Sequence, residues 1–494
     1  MSAQSTINQK IWSMATALMN DGVSNSDYLE QLTYLLFLKM ADEYSKPPYN
    51  RDMNIPEDCK WETIRRKRGE ELFSHYEYVL KTLGSQQGTL QQIYSGAQNK
   101  ISNPAILSKV INMIDNENWS SMSSDVKGDI YEGLLQKVAE DTKSGAGQYF
   151  TPRALINAMV ACVQPQPGKT IVDPCCGSGG FLLASKAYIE DPEHYQLDRD
   201  QREFLRYKTF SGWEIVPSTY KLCLMNLFLH NISDFDSAPT IHRNDSLLSD
   251  PGTRYDYVLT NPPFGKKSSY SFTNDEGLQE EEEGTYSRQD FWSITSNKQL
   301  NFVQHIHTIL KQDGKAAVVV PDNVLFEGGA GETVRRKLME TTNLHTILRL
   351  PTGIFYAQGV KANVIFFDNK PASPKWQTKE VWVYDYRTGV HHTLKQKPMT
   401  FEHLKDFIDC YKPGALHERV ETYSEENPNG RWRKFTLEEI LERDKASLDI
   451  TWIKTGEDIS EVKLSDLMAD IQEESTRISE AVAKLNELLG GIEE

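Results

Sequence analysis

The sequence has no long apolar segment and no organised cysteine pattern. No apolar run approaches the roughly 20 residues that a membrane-spanning helix requires, and the first residues lack a basic-then-apolar signal, so we expect a cytoplasmic protein without membrane contact. Its six cysteines include the adjacent Cys175 and Cys176 but show neither zinc-site spacing nor a disulfide framework. The cysteines are therefore predicted to be free thiols. The histidines show no metal-ligand spacing, and His391 and His392 are predicted to lie in a polar surface turn.

Positive charge is also scarce. The 54 lysines and arginines are outnumbered by 70 aspartates and glutamates, which gives a formal net charge of -16. Affinity for nucleic acid comes largely from neutralising phosphates, so a nucleic-acid partner would require a local basic surface or a second subunit that supplies one. Residues 65–68 (Arg-Arg-Lys-Arg) are predicted to form a solvated face. Lys266 and Lys267 are equally compatible with solvation and with contact to such a partner.

A short apolar run leads into a rigid polar corner. Residues 255–259 are followed by residues 260–264, which read Thr-Asn-Pro-Pro-Phe. The two prolines restrict φ and remove two backbone donors, so the carbonyls of Asn261 and Pro262 are available as acceptors beside the Asn261 side-chain oxygen. Phe264 can stack on a planar ring. For this segment alone, an ordinary turn is an equal alternative. The acceptors and the aromatic ring also suit a site that binds the amino group of an adenine-like ring.

A glycine-rich turn lies upstream of the corner. Residues 169–172 predict a short buried strand, and residues 173–181 (Asp-Pro-Cys-Cys-Gly-Ser-Gly-Gly-Phe) turn from it into a helical run ending near Tyr188. Glycine lets the backbone approach a ligand closely. No Lys-Ser or Lys-Thr follows the glycines, so the segment is not a phosphate loop. A turn led by an acid favours a cofactor that carries an ammonium group and a nucleoside.

The two motifs in this order resemble the amino-methyltransferases that use S-adenosylmethionine, and specifically the gamma group of DNA adenine-N6 methyltransferases. Residues 147–153 (Gly-Gln-Tyr-Phe-Thr-Pro-Arg) and the long amino-terminal extension are similar to the modification subunits of type I restriction-modification systems. The resemblance covers essentially the whole chain. It implies an α/β fold with the Rossmann-like sheet of S-adenosylmethionine-dependent methyltransferases, an all-α amino-terminal domain and a helical carboxy-terminal tail.

Several residues are predicted to contact the cofactor. Thr151 is a plausible N-cap, with Pro152 at the first position of a helix through Val163, and this helix start could hold the cofactor's carboxylate. Glu214 lies near the end of a predicted strand, where acids bind ribose hydroxyls; residues 191–208 would then be an insertion. The resemblance implies that Asp245 contacts the adenine amine. The predicted cofactor-binding residues are Gln148, Tyr149, Phe150, Thr151, Pro152, Arg153, Asp173, Gly177, Ser178, Gly179, Gly180, Glu214 and Asp245.

The implied reaction is methyl transfer from S-adenosylmethionine to N6 of an adenine rotated out of a specific duplex DNA site, since the amine cannot be reached inside the stack. Acceptors at the corner would localise the amine lone pair by electrostatic preorganisation. The predicted catalytic residues are Asn261, Pro262, Pro263 and Phe264, and no metal is expected to be required.

Two alternatives stay open at this point. One is a methyltransferase for a glutamine side chain or an RNA base, although such families generally lack a large helical front domain and a heptad tail. The other is a cofactor-binding scaffold without turnover, against which the complete set of proposed catalytic groups argues.

Length and patterning predict three parts, because 494 residues exceed one ordinary core. We predict a helical amino-terminal domain over 1–142, a methyltransferase catalytic domain over 143–415 and a carboxy-terminal segment over 416–494. Ser24 and Asp27 form a capping-box-like helix start. The helices predicted for the first part cover residues 7–18, 24–44, 61–83, 105–114 and 130–141.

After the corner, alternation between strands and helices predicts an α/β sheet with the site at the carboxyl ends of its strands. The alternating segments are residues 301–310, 316–321, 346–350 and 362–367. From about residue 370 the pattern turns irregular and then helical. The polar stretch 266–298, which contains four consecutive glutamates, is long for a structureless connection. We favour a solvated acidic loop that is mobile or ordered only by a partner, over a gate across the pocket.

The carboxy-terminal tail carries a heptad seam between residues 464 and 489. Its apolar positions are Leu464, Ile471, Ile478 and Leu485, each followed four residues later by Met468, Ser475, Val482 or Leu489. Such a seam predicts a partner helix, with packing onto its own domain as the alternative. The resemblance implies that the tail docks on a specificity subunit, which would choose the DNA sequence. The further partners that it implies are duplex DNA, a second modification subunit and a restriction subunit.

Overall fold

One mixed β-sheet organises the part of the chain that the structure describes. The computed structural model describes residues 3–51, 53–119, 151–234, 237, 239–264, 269–273, 279–283, 285–355, 360–393 and 397–453. The fold given below is that of the unit Met1–Thr451. Four predictions lie outside the described residues: the helix over 130–141, the cofactor residues Gln148, Tyr149 and Phe150, the pair Lys266 and Lys267, and the heptad tail.

The strands follow one another in the order expected for an α/β protein. They are β1 (Ile171–Asp173), β2 (Phe210–Trp213), β3 (Thr240–His242), β4 (Tyr255–Thr260), β5 (Ser269–Thr273), β6 (Gln279–Glu283), β7 (Leu310–Pro321), β8 (Thr342–Arg349), β9 (Ala362–Asn369), β10 (Glu380–Asp385) and β11 (Trp432–Thr436). Within the described ranges, nine of them form one sheet in the order β11-β10-β8-β9-β7-β4-β1-β2-β3. The neighbours from β7 through β4, β1 and β2 to β3 are all parallel, whereas β9 is antiparallel to β7 and β8. The carboxyl ends of β1 to β4 therefore meet at one edge.

Helices flank this sheet and also build the amino-terminal part. The first group is α1 (Ala3–Asn20), α2 (Asn25–Ser45), α3 (Trp61–Arg66), α4 (Gly69–Gly84), α5 (Thr89–Tyr94) and α6 (Pro104–Asp115). The second group is α7 (Arg153–Val163), α8 (Gly180–Glu190), α9 (Arg199–Tyr207), α10 (Pro217–Leu229), α11 (Lys298–Ile309), α12 (Asp322–Phe326), α13 (Ala330–Thr341), α14 (Lys405–Tyr411) and α15 (Leu437–Glu442). No helix in the described ranges has the length and apolar character needed to cross a membrane.

Local sequence explains most of the helix starts in the amino-terminal part. The Ser24 hydroxyl accepts from the Asp27 amide and begins α2, as predicted. Asn103 caps α6 with Pro104 at its first position. The single helix predicted over 61–83 is wrong: Arg68 is extended and Gly69 has a φ of 56°, so the chain turns between α3 and α4.

A buried polar contact joins the amino-terminal helices to the sheet-flanking helices. Lys221 of α10 places its Nζ 2.8 Å from Glu30 Oε1 and 2.8 Å from the Tyr34 hydroxyl, both on α2. The Phe37 ring of α2 lies 5.5 Å from the Phe228 ring of α10. Pairing a buried ammonium with a carboxylate avoids the cost of an isolated charge, so this junction holds α2 firmly against α10.

The sheet extends further along the chain than the sequence predicted. Residues beyond 370 were predicted to be irregular and then helical, but β10 pairs parallel to β8 and β11 pairs antiparallel to β10. The charged residues in β11 keep its sequence from being predicted as a strand. It is a strand because the Trp432 ring stacks 5.2 Å from Trp382 on β10, and packing of this kind outweighs local propensity. β11 also lies past residue 415, the predicted end of the catalytic domain.

Part of the polar stretch 266–298, predicted to be a solvated acidic loop that is mobile or ordered only by a partner, has regular secondary structure. β5 and β6 form a two-stranded antiparallel sheet. Further on, Tyr286 and Phe291 are buried in a small apolar cluster with Leu247 and Phe302. These aromatic side chains anchor the segment after β6 to the edge of the sheet, because burying two large rings is strongly favourable.

His392 also departs from its prediction. The side chain is buried, and its Nε2 lies 2.6 Å from the Tyr386 hydroxyl, while Nδ1 lies 3.1 Å from the Lys397 carbonyl. A buried imidazole with both nitrogens paired is stable in the interior. Only His391 of the pair is exposed.

Candidate active site

Four consecutive parallel strands deliver the predicted site residues to one edge of the sheet. Asp173 ends β1, Glu214 directly follows β2, Asp245 lies three residues after β3, and Asn261 directly follows β4. The pairing of Asp173 with Gly212 and of Val172 with Val258 places these ends side by side. The structure thus brings together residues that are up to 88 positions apart in sequence.

Asp173 links the ends of β1 and β4. Its Oδ1 accepts from the Thr260 hydroxyl at 2.6 Å and from the Cys175 amide at 3.0 Å. Burial raises the pKa of Asp173 to about 7, although these two donors act in the opposite direction. A carboxyl with a pKa of about 7 is partly protonated at neutral pH, so it can lose its proton and become charged when a cationic group approaches.

The glycine turn is shaped by close packing. Gly179 has a φ of 87° and stands where a Cβ would lie 3.2 Å from Cys223 Sγ and 3.3 Å from Leu227 Cδ2. Asn226 of α10, which the sequence did not single out, donates from Nδ2 to the Ser178 carbonyl at 2.9 Å. The turn is therefore held by α10 on one side and opens into α8 at Gly180. All six cysteines, including Cys175 and Cys176, are free, as predicted.

Glu214 is a buried acid beside the glycine turn. Its carboxylate accepts from the Val216 amide at 2.7 Å. Burial raises the pKa of Glu214, while the amides of Val216, Gly177 and Ile215 favour its charged form. The geometry suits a carboxylate that accepts hydrogen bonds from ligand hydroxyls.

The Asp245 carboxylate has a partner that sequence reasoning missed. Its Oδ1 accepts from the Leu247 amide at 2.9 Å, and its Oδ2 accepts from the Tyr286 hydroxyl at 2.6 Å. Arg288 donates to the Leu247 carbonyl at 3.2 Å and so ties the same two segments. The available signal was the aromatic residue at 286 inside a polar stretch, since a tyrosine there has reason to pack.

The corner after β4 leaves one buried oxygen without a donor. Asn261 Nδ2 donates to the Thr151 hydroxyl at 2.9 Å. Asn261 Oδ1 is buried and has no hydrogen-bond partner among the described residues. An unpaired buried acceptor costs about 1–3 kcal/mol, so its presence calls for an explanation. An N–H group brought by a ligand would satisfy this oxygen.

The rest of the corner is held by two neighbours. Gln299 Nε2 donates to the Pro263 carbonyl at 2.6 Å, and the Phe264 ring packs edge-to-face against Phe355 at 5.4 Å. Both contacts restrain the segment that follows Asn261. The Phe264 ring therefore has a defined orientation.

Thr151 does not cap α7, contrary to the prediction. The helix begins at Arg153, and the N-cap residue is Pro152, which has no side chain to donate or accept. The Thr151 hydroxyl lies one residue too early to reach the first amides of the helix, and it contacts Asn261 instead. Arg153 donates from Nη1 to the Gly180 carbonyl at 3.1 Å.

The site has three features: an acid at or just after the ends of β1, β2 and β3, a glycine turn after β1, and Asn-Pro-Pro-Phe after β4. Together they define the α/β fold of the S-adenosylmethionine-dependent methyltransferases that act on amino groups. Comparison with known proteins agrees. Residues 122–461 match the family model for N-6 DNA Methylase, and residues 7–114 match the model for the HsdM N-terminal domain. The chain belongs to the N-6 DNA methylase family, as a methylase subunit of a type I restriction enzyme.

Relatives of known name support this assignment over nearly the whole chain. The chain is 39% identical over 515 residues to the StySPI methylase subunit of Salmonella potsdam. This alignment covers 97% of this chain and 94% of that protein. It is 38% identical, with the same coverage, to the EcoKI methylase subunit of Escherichia coli. Both are type I restriction enzyme subunits.

Solved structures give the same result. The crystal structure of the EcoKI M protein superposes with a TM-score of 0.54 at 34% identity, over 97% of this chain and 96% of that one. A structure from work on complex assembly and conformational transition of the type I restriction-modification system gives a TM-score of 0.76 at 26% identity, over 99% of both chains. The predicted family, fold class and enzyme class, an adenine-specific DNA methyltransferase, are confirmed.

Proposed function

We propose that this chain transfers a methyl group from S-adenosylmethionine to N6 of an adenine rotated out of duplex DNA, and that it acts in the cytoplasm. The observation that carries the proposal is the buried Asn261 Oδ1, which has no hydrogen-bond partner among the residues that the structure describes. An exocyclic amine is a donor of the right kind for this oxygen, and the adjacent Pro262 carbonyl offers a second acceptor. The corner would then hold both N–H bonds of the amine.

The described residues fit the proposed cofactor. Asp173 would hold its ammonium group, Glu214 its ribose hydroxyls and Asp245 its adenine amine, while the glycine turn lets the backbone approach it. When bound, S-adenosylmethionine supplies an electrophilic methyl group. The buried acids at the strand ends are the features of this chain that support the fit.

The corner would act by electrostatics: the proton that N6 loses once the methyl group has been transferred would pass to water and not to Asn261. The amine lone pair is delocalised into the adenine ring, which makes it a weak nucleophile. Two acceptors directed at the N–H bonds would localise that lone pair at nitrogen, because they stabilise the positive charge that develops there. Asn261 is held by Thr151 before the substrate arrives, so little reorganisation is required.

Phe264 would replace the stacking that the base loses when it leaves the duplex. Extrusion costs a few kcal/mol, and stacking of a base on an aromatic ring contributes about 1–3 kcal/mol. The edge-to-face contact with Phe355 keeps the Phe264 ring in place. The aromatic ring is therefore expected to affect how often the flipped base occupies the site.

The charge distribution supports dependence on other subunits. Three cations of the 65–68 run are neutralised within the amino-terminal helices: Arg65 pairs with Asp115, Arg66 with Glu62 and Lys67 with Glu71. Residues 65–68 therefore offer little positive charge for binding DNA phosphates. The chain as a whole is acidic, with a net charge of -16. We propose that a specificity subunit supplies DNA affinity and sequence choice, and that a second modification subunit and a restriction subunit complete the assembly.

The test is tritiated methyl transfer to mixed-sequence duplex DNA, by the chain alone and with its specificity subunit. Label on adenine only when both are present would support a partner-dependent modification subunit. Label with the chain alone would contradict the proposed dependence, and label on cytosine or no label with both subunits would contradict the proposed reaction.

Cofactor affinity should depend on pH through Asp173. Below its pKa of about 7 the carboxyl is neutral and cannot attract an ammonium group, so affinity should rise on the order of tenfold from about pH 5.5 to about pH 7.5 as the proton leaves. Isothermal calorimetry across this range would measure the change. Asp173→Asn is the matched control, since it keeps the acceptor for Thr260 but cannot ionise. An equal pH dependence in both proteins would contradict the role of Asp173.

A further inference from the structure

Thr151 connects two parts of the proposed site. Its hydroxyl oxygen accepts from Asn261 Nδ2 at 2.9 Å, across 110 positions of sequence. Two residues later, Arg153 donates to the Gly180 carbonyl at the start of α8. One short segment therefore contacts both the corner that would hold the target amine and the helix that follows the glycine turn.

The contact restrains the orientation of the Asn261 amide. The terminal torsion of an asparagine side chain is broad and roughly two-fold, so the oxygen and nitrogen can exchange places at small cost. A hydroxyl can accept from Nδ2 or donate to Oδ1. In this structure the Thr151 hydroxyl accepts from Nδ2, and this bond holds the amide in the orientation observed. The oxygen then lies on the opposite side of the amide, where it is buried and has no partner in the described part of the chain. Thr151 is itself buried, so water competes little for the contact.

The Thr151 hydroxyl is held by its backbone. Pro152 restricts the residue before it to extended conformations, and its own φ of -52° leads directly into α7. α7 is packed closely on α8, since a Cβ on Gly180 would lie 3.0 Å from Ile156 Cδ1. The hydroxyl therefore has a defined position relative to the glycine turn.

We propose that Thr151 is a positioning residue for the reaction, which fixes the Asn261 amide with its oxygen directed at the target amine. This inference rests on the proposed function of Asn261. It replaces the roles predicted from sequence, in which Thr151 capped a helix and contacted the cofactor's carboxylate. Without the hydroxyl, the amide can turn its NH₂ group toward the substrate amine, and two donors would then face each other.

The test compares Thr151→Val with Thr151→Ser in the complex of the full chain with its specificity subunit. Valine keeps the branched shape and removes the acceptor, whereas serine keeps the acceptor. The matched control is Thr33→Val, which removes a buried hydroxyl bonded to the Leu29 carbonyl in α2, away from the proposed site. Single-turnover methyl transfer, calorimetric binding of S-adenosylmethionine and binding of duplex DNA are measured for each.

We expect Thr151→Val to lower the single-turnover rate by about 10- to 100-fold, since small errors in the placement of a catalytic group have effects of this size. Affinities for S-adenosylmethionine and for DNA should stay at the wild-type values. Thr151→Ser should restore most of the rate, and Thr33→Val should not change it. A purely structural role would not produce a loss confined to turnover and restored by serine.

Three results would overturn the inference. An unchanged rate in Thr151→Val would show that the hydroxyl does not direct the amide. A parallel loss of cofactor affinity and rate in Thr151→Val would indicate that Thr151 contacts the cofactor. If serine failed to restore the rate, the loss of the hydroxyl would be excluded as the cause. If valine prevents folding, the comparison of Thr151→Ala with Thr151→Ser decides the same question. Absence of adenine methylation by the wild-type complex would instead contradict the proposed function.

Discussion

Replacing Asn261 by alanine should lower methyl-transfer turnover by about 10²- to 10³-fold, the range seen when one preorganised polar group is removed from an active site. The substitution deletes the buried oxygen that would accept from the target amine. Binding of S-adenosylmethionine should persist, because Asp173, Glu214 and the glycine turn are untouched. Single-turnover transfer of a tritiated methyl group at saturating cofactor, with calorimetry of cofactor binding, would measure both quantities.

The same substitution should leave stability unchanged or slightly higher. A buried acceptor without a partner costs free energy in the folded state, and alanine removes that cost together with the single contact to Thr151. Groups kept at such a cost are typical of active sites. Thermal unfolding of the variant beside the wild type would test this expectation.

A matched control is Asn112→Ala, at an exposed position in the last turn of α6. It makes the same chemical change on a helix surface, where alanine is well tolerated, and should not alter turnover. Wild-type turnover in Asn261→Ala would show that the Asn-Pro-Pro-Phe corner does not carry the reaction. Loss of cofactor binding in that variant would mean that Asn261 belongs to the cofactor site.

Replacing Gly179 by alanine should abolish measurable binding of S-adenosylmethionine. The residue has a φ of 87°, which costs an L-residue roughly 1–2 kcal/mol. The added Cβ would also lie 3.2 Å from Cys223 Sγ and 3.3 Å from Leu227 Cδ2. The glycine turn would have to move away from α10, and the adjacent Ser178 carbonyl would lose its bond to Asn226. Calorimetry with the purified chain would measure the loss.

Gly168→Ala separates backbone strain from crowding. Gly168 has a φ of 76°, close to that of Gly179, but a Cβ there would meet no atom within 4 Å. Both variants should lose stability from the left-handed backbone, yet only Gly179→Ala should lose the cofactor. Equal cofactor binding by the two variants would show that the shape of the turn at Gly179 is not required.

The elements that sequence predicted well are those whose signal is local. The cap of α2 at Ser24 and the helix predicted over 105–114, which is α6, depend on residues within a few turns of one another. Strand β4 reads as a buried apolar run that is typical of a parallel strand covered on both faces. The strand missed at Trp432–Thr436 has no such signal, because it is stabilised by Trp382 on a strand 50 residues earlier in the chain.

The site shows the same division. The residues of the glycine turn and of the Asn-Pro-Pro-Phe corner could be named from sequence because each motif is contiguous and each residue type has one evident chemical use. The amide that secures the glycine turn, Asn226, could not be named in this way. It lies in an unremarkable helix, and its importance depends on how α10 packs against Ser178.

The sequence by itself determined the family, the α/β class and the acids and acceptors of the candidate site, because these are properties of short segments whose chemistry can be read residue by residue. Only the tertiary structure decided what those groups contact. The bond from Asn261 to Thr151 spans 110 positions, that from Asn226 to Ser178 spans 48, and that from Tyr286 to Asp245 spans 41. Contacts between distant segments depend on the path of the whole chain, which no local pattern contains.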